Sequence, residues 1–278
     1  MRCSLRRFRM GLMGRSLICY GIAMLLLFAA AAHAEDVTLP GPEGITIKAK
    51  LFRPDVATAA PALVLLHGCG GPFPSRDAQW TELLTKAGHI VLLPDSFGSR
   101  SLGSQCTTPV RQRPVTATGL RRLDALTAAR WLAAQPGTPA GGVVLVGWSD
   151  GGATILAAGG ERPDTQRGLI RGLVGFYPGC TSEAQTAGWR PVAPLLVLVG
   201  EADDWTPAAP CQALARSLGP AMTLVTYPGA YHDFDAPSAA VRTRSSSRGQ
   251  VHVGTDPAAR ADALQRVPAF IASLPPVN

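Results

Sequence analysis

The stretch Val143-Val144-Leu145-Val146-Gly147-Trp148-Ser149-Asp150-Gly151 runs without a break into Gly152-Ala153-Thr154-Ile155-Leu156-Ala157-Ala158. An apolar run rich in valine predicts a strand buried on both faces, and the small and apolar residues after it predict a helix. Only Gly147 to Gly151 turn the chain between them. A turn that tight forces its central residue into strained backbone angles, and a glycine on each side keeps neighbouring atoms apart. Ser149 is that central residue. Its hydroxyl is therefore expected to stand exposed at a strand end, beside a helix N-terminus whose N–H groups face incoming negative charge.

Working outward, apolar runs recur at 62–66, 89–93, 169–176, 195–199 and 223–226, alternating with helical stretches. This alternation predicts an α/β fold with a mostly parallel central sheet and helices on both faces. Residues 37–39 and 45–52 predict an antiparallel opening hairpin around Pro40-Gly41-Pro42-Glu43-Gly44. Residues 243–254, rich in Ser, Arg and Gly, predict a mobile loop. There is no internal repeat, no metal-ligand spacing and no phosphate-binding glycine loop, so neither a metal nor another cofactor is expected.

A serine hydroxyl is a weak nucleophile until a base takes its proton, and neutral imidazole does so near neutral pH. The imidazole in turn needs a carboxylate that fixes its tautomer and stabilises its cation. Both types follow Ser149 in the chain. The run at 195–199 ends in Gly200-Glu201-Ala202-Asp203-Asp204-Trp205-Thr206-Pro207, with Asp203 and Asp204 as candidate acids at the strand's C-terminal edge. The next strand runs into Pro228-Gly229-Ala230-Tyr231-His232-Asp233-Phe234, and a histidine in that loop can swing toward the serine. His67, His89 and His252 fit less well: the first two precede the acid-bearing strand, and His252 sits in the polar Arg/Ser/Gly stretch. The strand at 62–66 ends in His67-Gly68-Cys69-Gly70-Gly71, where the glycines permit a sharp turn.

These segments, with Leu93-Pro94-Asp95-Ser96-Phe97-Gly98-Ser99-Arg100, together resemble the dienelactone hydrolase-like family of the α/β-hydrolase superfamily. The likeness extends from about Val37 to the last helix. It implies an α/β-hydrolase fold and a hydrolase that cleaves a small ester or lactone through an acyl-enzyme. Catalysis would rest on Ser149, His232 and Asp203. The superfamily pattern G-x-x-D-x-x-[VT]-P selects Asp203 over Asp204. The HG-type turn implies that the backbone N–H groups of Cys69 and Asp150 form an oxyanion hole. Two departures are visible. Members that open dienelactones use a cysteine where Ser149 stands, and they carry a glutamate near the HG turn where this chain has Gly68 and Cys69. The alternatives to hydrolysis are a hydrolase-fold binding protein and an acyltransferase.

Arg2, Arg6, Arg7, Arg9 and Arg15 precede an apolar segment from Ile18 to Ala32 and the A-x-A site Ala32-His33-Ala34. This predicts a cleaved signal peptide over 1–34, export to the periplasm or medium, and a single domain over 35–278. The whole chain carries +7, but with the signal gone 21 basic residues face 19 acidic ones, a net +2. Nucleic-acid binding and stable membrane insertion are therefore not expected. Four cysteines follow the signal: Cys69, Cys106, Cys180 and Cys211. An even number in an exported chain predicts two disulfides among three pairings, and loops after neighbouring strands favour Cys69 with Cys106 and Cys180 with Cys211. Arg100 and Trp205 are candidate substrate-binding residues, the arginine for an anionic group and the tryptophan as a wall against water.

Overall fold

The computed structural model describes residues 34–162 and 168–275. The signal peptide expected over 1–34 lies outside them except for Ala34. Ala34 opens β1 (Ala34–Pro40), which pairs antiparallel with β2 (Thr46–Phe52). This is the hairpin expected around Pro40 to Gly44. The remaining sheet strands are β3 (Leu63–Leu66), β4 (Val91–Pro94), β5 (Val143–Trp148), β6 (Ile170–Phe176), β7 (Leu195–Gly200) and β8 (Met222–Tyr227). Their spatial order is β1-β2-β4-β3-β5-β6-β7-β8, and every pair from β4 to β8 is parallel. Strand β5, which delivers Ser149, lies between β3 and β6 in the middle of the sheet.

Because side chains alternate across a strand, the apolar runs feed two cores at once. Val64, Leu66, Leu145 and Val197 face one way. They pack against α2 (Leu120–Ala133), α3 (Asp150–Gly159) and α5 (Ala208–Leu218) through residues such as Leu126, Ile155 and Leu214. Leu65, Val144, Val146 and Leu198 face the other way and meet α1 (Pro74–Lys86) and α6 (Pro257–Ser273) through Trp80, Leu84, Ala263 and Ile271. Both faces are thus covered, the arrangement that continuous valine and leucine runs require.

One expectation is overturned. Residues 242–253 do not form a loose loop but an ordered hairpin, β9 (Arg242–Ser246) and β10 (Gly249–Val253), in register from Arg242 opposite Val253 to Ser246 opposite Gly249. Its stabilisation is not local. Val251 and Val253 are buried in a small cluster with Cys69, Cys106 and Trp205, far apart in sequence, so the Ser/Arg/Gly composition gave no hint of it. Among the described residues no helix is long and apolar enough to cross a membrane.

Candidate active site

Four strand ends build the site. At the end of β5, Ser149 takes φ 54° and ψ −115°, a strained conformation for a residue with a Cβ. Its flanking glycines answer a packing need. A Cβ on Gly147 would stand 2.2 Å from the carbonyl oxygen of Gly151, and one on Gly151 would stand 2.2 Å from that of Leu66. The turn closes only with glycine at both places. Ser149 N donates to Phe176 O at 2.9 Å, which ties the turn to the end of β6.

The candidate acid and base come from the ends of β7 and β8. His232 Nδ1 lies 2.7 Å from Asp203 Oδ2, with both side chains buried. Asp203 is held by its own loop: Oδ1 accepts from the N–H groups of Trp205 at 2.9 Å and Thr206 at 2.8 Å, and Oδ2 accepts from Thr206 Oγ1 at 2.9 Å. The Thr206 hydroxyl is also 3.1 Å from His232 Nδ1 and 3.0 Å from Tyr177 O. Burial works to lower the pKa of His232, but attraction to and hydrogen bonding with Asp203 outweigh it, so the value lies above the ordinary 6.5. His232 Nε2 is buried and has no hydrogen-bond partner among the described residues. No hydrogen bond joins it to Ser149, a contact that in many apo hydrolases tightens only when substrate binds.

Asp204 has a different task. It accepts from His252 N at 2.9 Å and pairs with His252 Nδ1 at 2.8 Å on the exposed side, anchoring β10 to the acid loop. Trp205 lies at the site, its ring 4.8 Å from the His232 ring and under the Arg244 guanidinium. Arg100 does not. Its two terminal nitrogens make a bidentate pair with the fully buried Asp124 at 2.7 and 2.8 Å, and one also donates to Ser96 O. The guanidinium is committed inside the fold, which corrects the expectation that it meets substrate.

The HG-type turn lies against Ser149: a Cβ on Gly68 would be 3.5 Å from the Ser149 Cβ. Among the described residues neither Cys69 N nor Asp150 N donates to an acceptor in a loop or side chain. The Asp150 side chain points elsewhere, to Arg113 at 2.9 Å and to the buried Arg121. Arg121 also donates to His67 O at 2.6 Å, which fastens the HG turn to the start of α3. Two disulfides form, Cys69–Cys106 and Cys180–Cys211, the pairing favoured from strand order. Among the described residues no three His, Cys, Asp or Glu side chains converge as metal ligands would.

Three contributors had no sequence signal strong enough to single them out. The Tyr177 ring lies 4.4 Å from the His232 ring, tilted 54° to it. Its hydroxyl donates to Asp235 Oδ1 at 2.6 Å, while Asp235 Oδ2 accepts from Trp80 and Trp148 Nε1, both at 2.8 Å. One buried carboxylate thus links the residue before Ser149 to the loop that carries His232. Thr206, the third, was visible only as the variable position of a pattern.

A nucleophile turn on a central parallel strand, with an Asp–His pair at the ends of the following strands, defines an α/β hydrolase. The sequence profile described as the dienelactone hydrolase family matches residues 47–274, and the chain belongs to that family. It is accordingly an enzyme that hydrolyses ester bonds. Solved structures agree on the fold. The chain is similar to a Klebsiella pneumoniae protein assigned as a dienelactone hydrolase, at 18% identity and TM-score 0.67, covering 87% of this chain and 99% of that one. It is similar to a dienelactone hydrolase from Anabaena variabilis at 23% identity and TM-score 0.62, covering 87% and 98%. It is also similar to Thermogutta terrifontis esterase 2, captured phosphoramylated by tabun, at 19% identity and TM-score 0.60, covering 86% and 94%. No curated protein matches it in sequence.

Proposed function

We propose that the chain is an exported serine hydrolase that cleaves small carboxylic esters or lactones through an acyl-enzyme. Ser149 Oγ attacks the ester carbonyl carbon while His232 Nε2 takes its proton. Asp203 holds Nδ1–H and stabilises the imidazolium. The oxyanion that forms accepts from the N–H groups of Cys69 and Asp150. Collapse breaks the bond to the leaving alcohol, which receives the proton from His232. Water then repeats the cycle on the acyl carbon and frees the acid.

The observation that carries this reading is the buried 2.7 Å Asp203–His232 pair, whose outer ring nitrogen has no hydrogen-bond partner among the described residues, beside a serine held at positive φ. Export is supported by the basic and apolar N-terminal segments and by two disulfides, which persist in oxidising compartments. Ser149 in place of cysteine, and the missing glutamate at the HG turn, argue for simple esters over dienelactones.

A panel of p-nitrophenyl esters of increasing acyl length, with and without a serine-reactive phosphonate, tests the proposal. Turnover of short acyl chains that the phosphonate abolishes is the expected result. Ligand binding without turnover of any ester would overturn it.

A further inference from the structure

Cys69 is both the proposed oxyanion donor and one end of a disulfide. The other end, Cys106, belongs to the loop between β4 and α2. That loop grips the HG turn a second time, because Gln105 N donates to Cys69 O at 2.8 Å. Cys106 in turn supports the β9–β10 hairpin: its carbonyl accepts from Ser247 N at 2.9 Å, and its sulfur lies 3.4 Å from Arg244 Nη2. Both half-cystines are buried with Trp205, Val251 and Val253, and Trp205 packs on His232. The bridge therefore stands where the HG turn, the hairpin and the wall beside the catalytic histidine meet. Cys180–Cys211 differs: it joins the start of the short α4 (Thr181–Gln185) to α5 and is buried in the large hydrophobic core with Ile155, Val197 and Leu214, not in the small cluster around Trp205.

We infer that the Cys69–Cys106 disulfide is a positioning bridge for catalysis. It fixes the Cys69 N–H in the direction of the developing oxyanion, so that activity depends on this bridge while the second serves stability alone. The physical reason is that an oxyanion donor works through preorganisation. The HG turn is glycine-rich on both sides of Cys69, so without a covalent tie its amide would sample many directions. The backbone donor survives loss of the bridge, and what is lost is its aim. The inference rests on the Ser149 reading above and deepens it.

The test uses the full exported protein in three forms: wild type, Cys69→Ala/Cys106→Ala and Cys180→Ala/Cys211→Ala. Each is assayed for kcat and KM on a short p-nitrophenyl ester, for affinity toward an alkyl boronic acid that mimics the tetrahedral intermediate, and for thermal melting. Removing an oxyanion donor altogether costs about 10²–10³ in kcat. Misaiming one is expected to lower kcat by roughly tenfold to a hundredfold. Boronate affinity should fall in parallel, with KM within about threefold of wild type. The Cys180→Ala/Cys211→Ala variant is expected to melt earlier yet keep its kcat.

Should the first variant fail to fold, the second provides the same test, since Cys69–Cys106 is then the only bridge left among the four cysteines. Dithiothreitol, a dithiol, gives two electrons and two protons as the S–S bond breaks, leaving two thiols and closing into its own cyclic disulfide. Loss of kcat in step with the two new thiols, and recovery on reoxidation, is the expected result. Unchanged kcat and boronate affinity in a folded, bridge-free protein would overturn the inference. A folded Ser149→Ala protein that keeps its turnover would overturn the serine reading and, with it, this inference, whereas loss of turnover there with a bridge-free protein at full kcat overturns the inference alone.

Discussion

Replacing Asp203 by asparagine changes one atom, and the structure says where that atom goes. Oδ1 accepts from the N–H groups of Trp205 and Thr206, while Oδ2 faces His232 Nδ1 at 2.7 Å. The amide carbonyl must stay toward the two N–H donors, since the opposite orientation sets an NH₂ group against both. Two neutral hydrogen bonds at about 1 kcal/mol each hold that choice. The NH₂ group then points at His232 Nδ1, which must become an acceptor, so the proton moves to Nε2 and the base can no longer take one from Ser149. A bias of about 2 kcal/mol leaves roughly 3% of the productive tautomer. Loss of the charge-assisted bond to the imidazolium removes about 3 kcal/mol more from the transition state. The sum, about 5 kcal/mol, corresponds to a fall in kcat/KM of between about 10³ and 10⁴. The fold should persist, because the turn that holds residue 203 keeps both backbone bonds. The assay is p-nitrophenyl acetate hydrolysis beside a thermal melt. Asp204→Asn weakens an exposed pair with His252 while its amide oxygen can still accept from His252 N, so it should stay within about twofold of wild type. A folded Asp203→Asn protein within tenfold of wild type, with Asp204→Asn a hundredfold slower, would refute this reasoning.

Other outcomes follow from the same geometry. Because the His232 pKa is raised, the acid limb of kcat/KM should have its midpoint above 6.5, and removing the Asp203 charge should move it down; a pH-rate profile of both proteins checks this. The sign for stability is the same: the pair's contribution is complete below pH 6.5 and is lost as pH rises through the folded-state value, which urea unfolding at several pH values measures. Asp150→Ala leaves the guanidinium groups of Arg113 and Arg121 without their carboxylate and should cost about 3–5 kcal/mol of unfolding free energy in the same titration. Simple short-chain esters should be cleaved faster than a dienelactone of matched leaving-group pKa, as steady-state kcat/KM will show, because the Ser149 alkoxide needs no substrate-triggered ionisation.

The parallel sheet was legible because a strand buried on both faces must be continuously apolar, as β5 and β7 are, and a window of a few residues carries that information. The nucleophile turn was legible for a related reason: no residue but glycine fits at 147 and 151. What the sequence concealed depends on distant partners. The β9–β10 hairpin draws its burial from Cys69, Cys106 and Trp205, so its own Ser/Arg/Gly composition read as a loop. Arg100 ends a segment that carries the family resemblance, yet Asp124, 24 residues on, takes its charge. Asp235 and Tyr177 look like ordinary loop and strand-end residues until folding brings Trp80 and Trp148 to the same carboxylate. Local spacing marked Ser149 and His232 as candidates, and tertiary contact decided which neighbours stand beside them.

The central claim is that Ser149 is the nucleophile activated by His232. Its most direct test is fluorophosphonate labelling of the purified protein, followed by intact-mass measurement and mapping of the modified peptide. One adduct per chain on Ser149 is predicted, absent in Ser149→Ala and formed at least a thousandfold more slowly in a folded His232→Ala variant, on the order of triad losses in such enzymes. An adduct that persists in folded Ser149→Ala protein and maps to a different serine would contradict it.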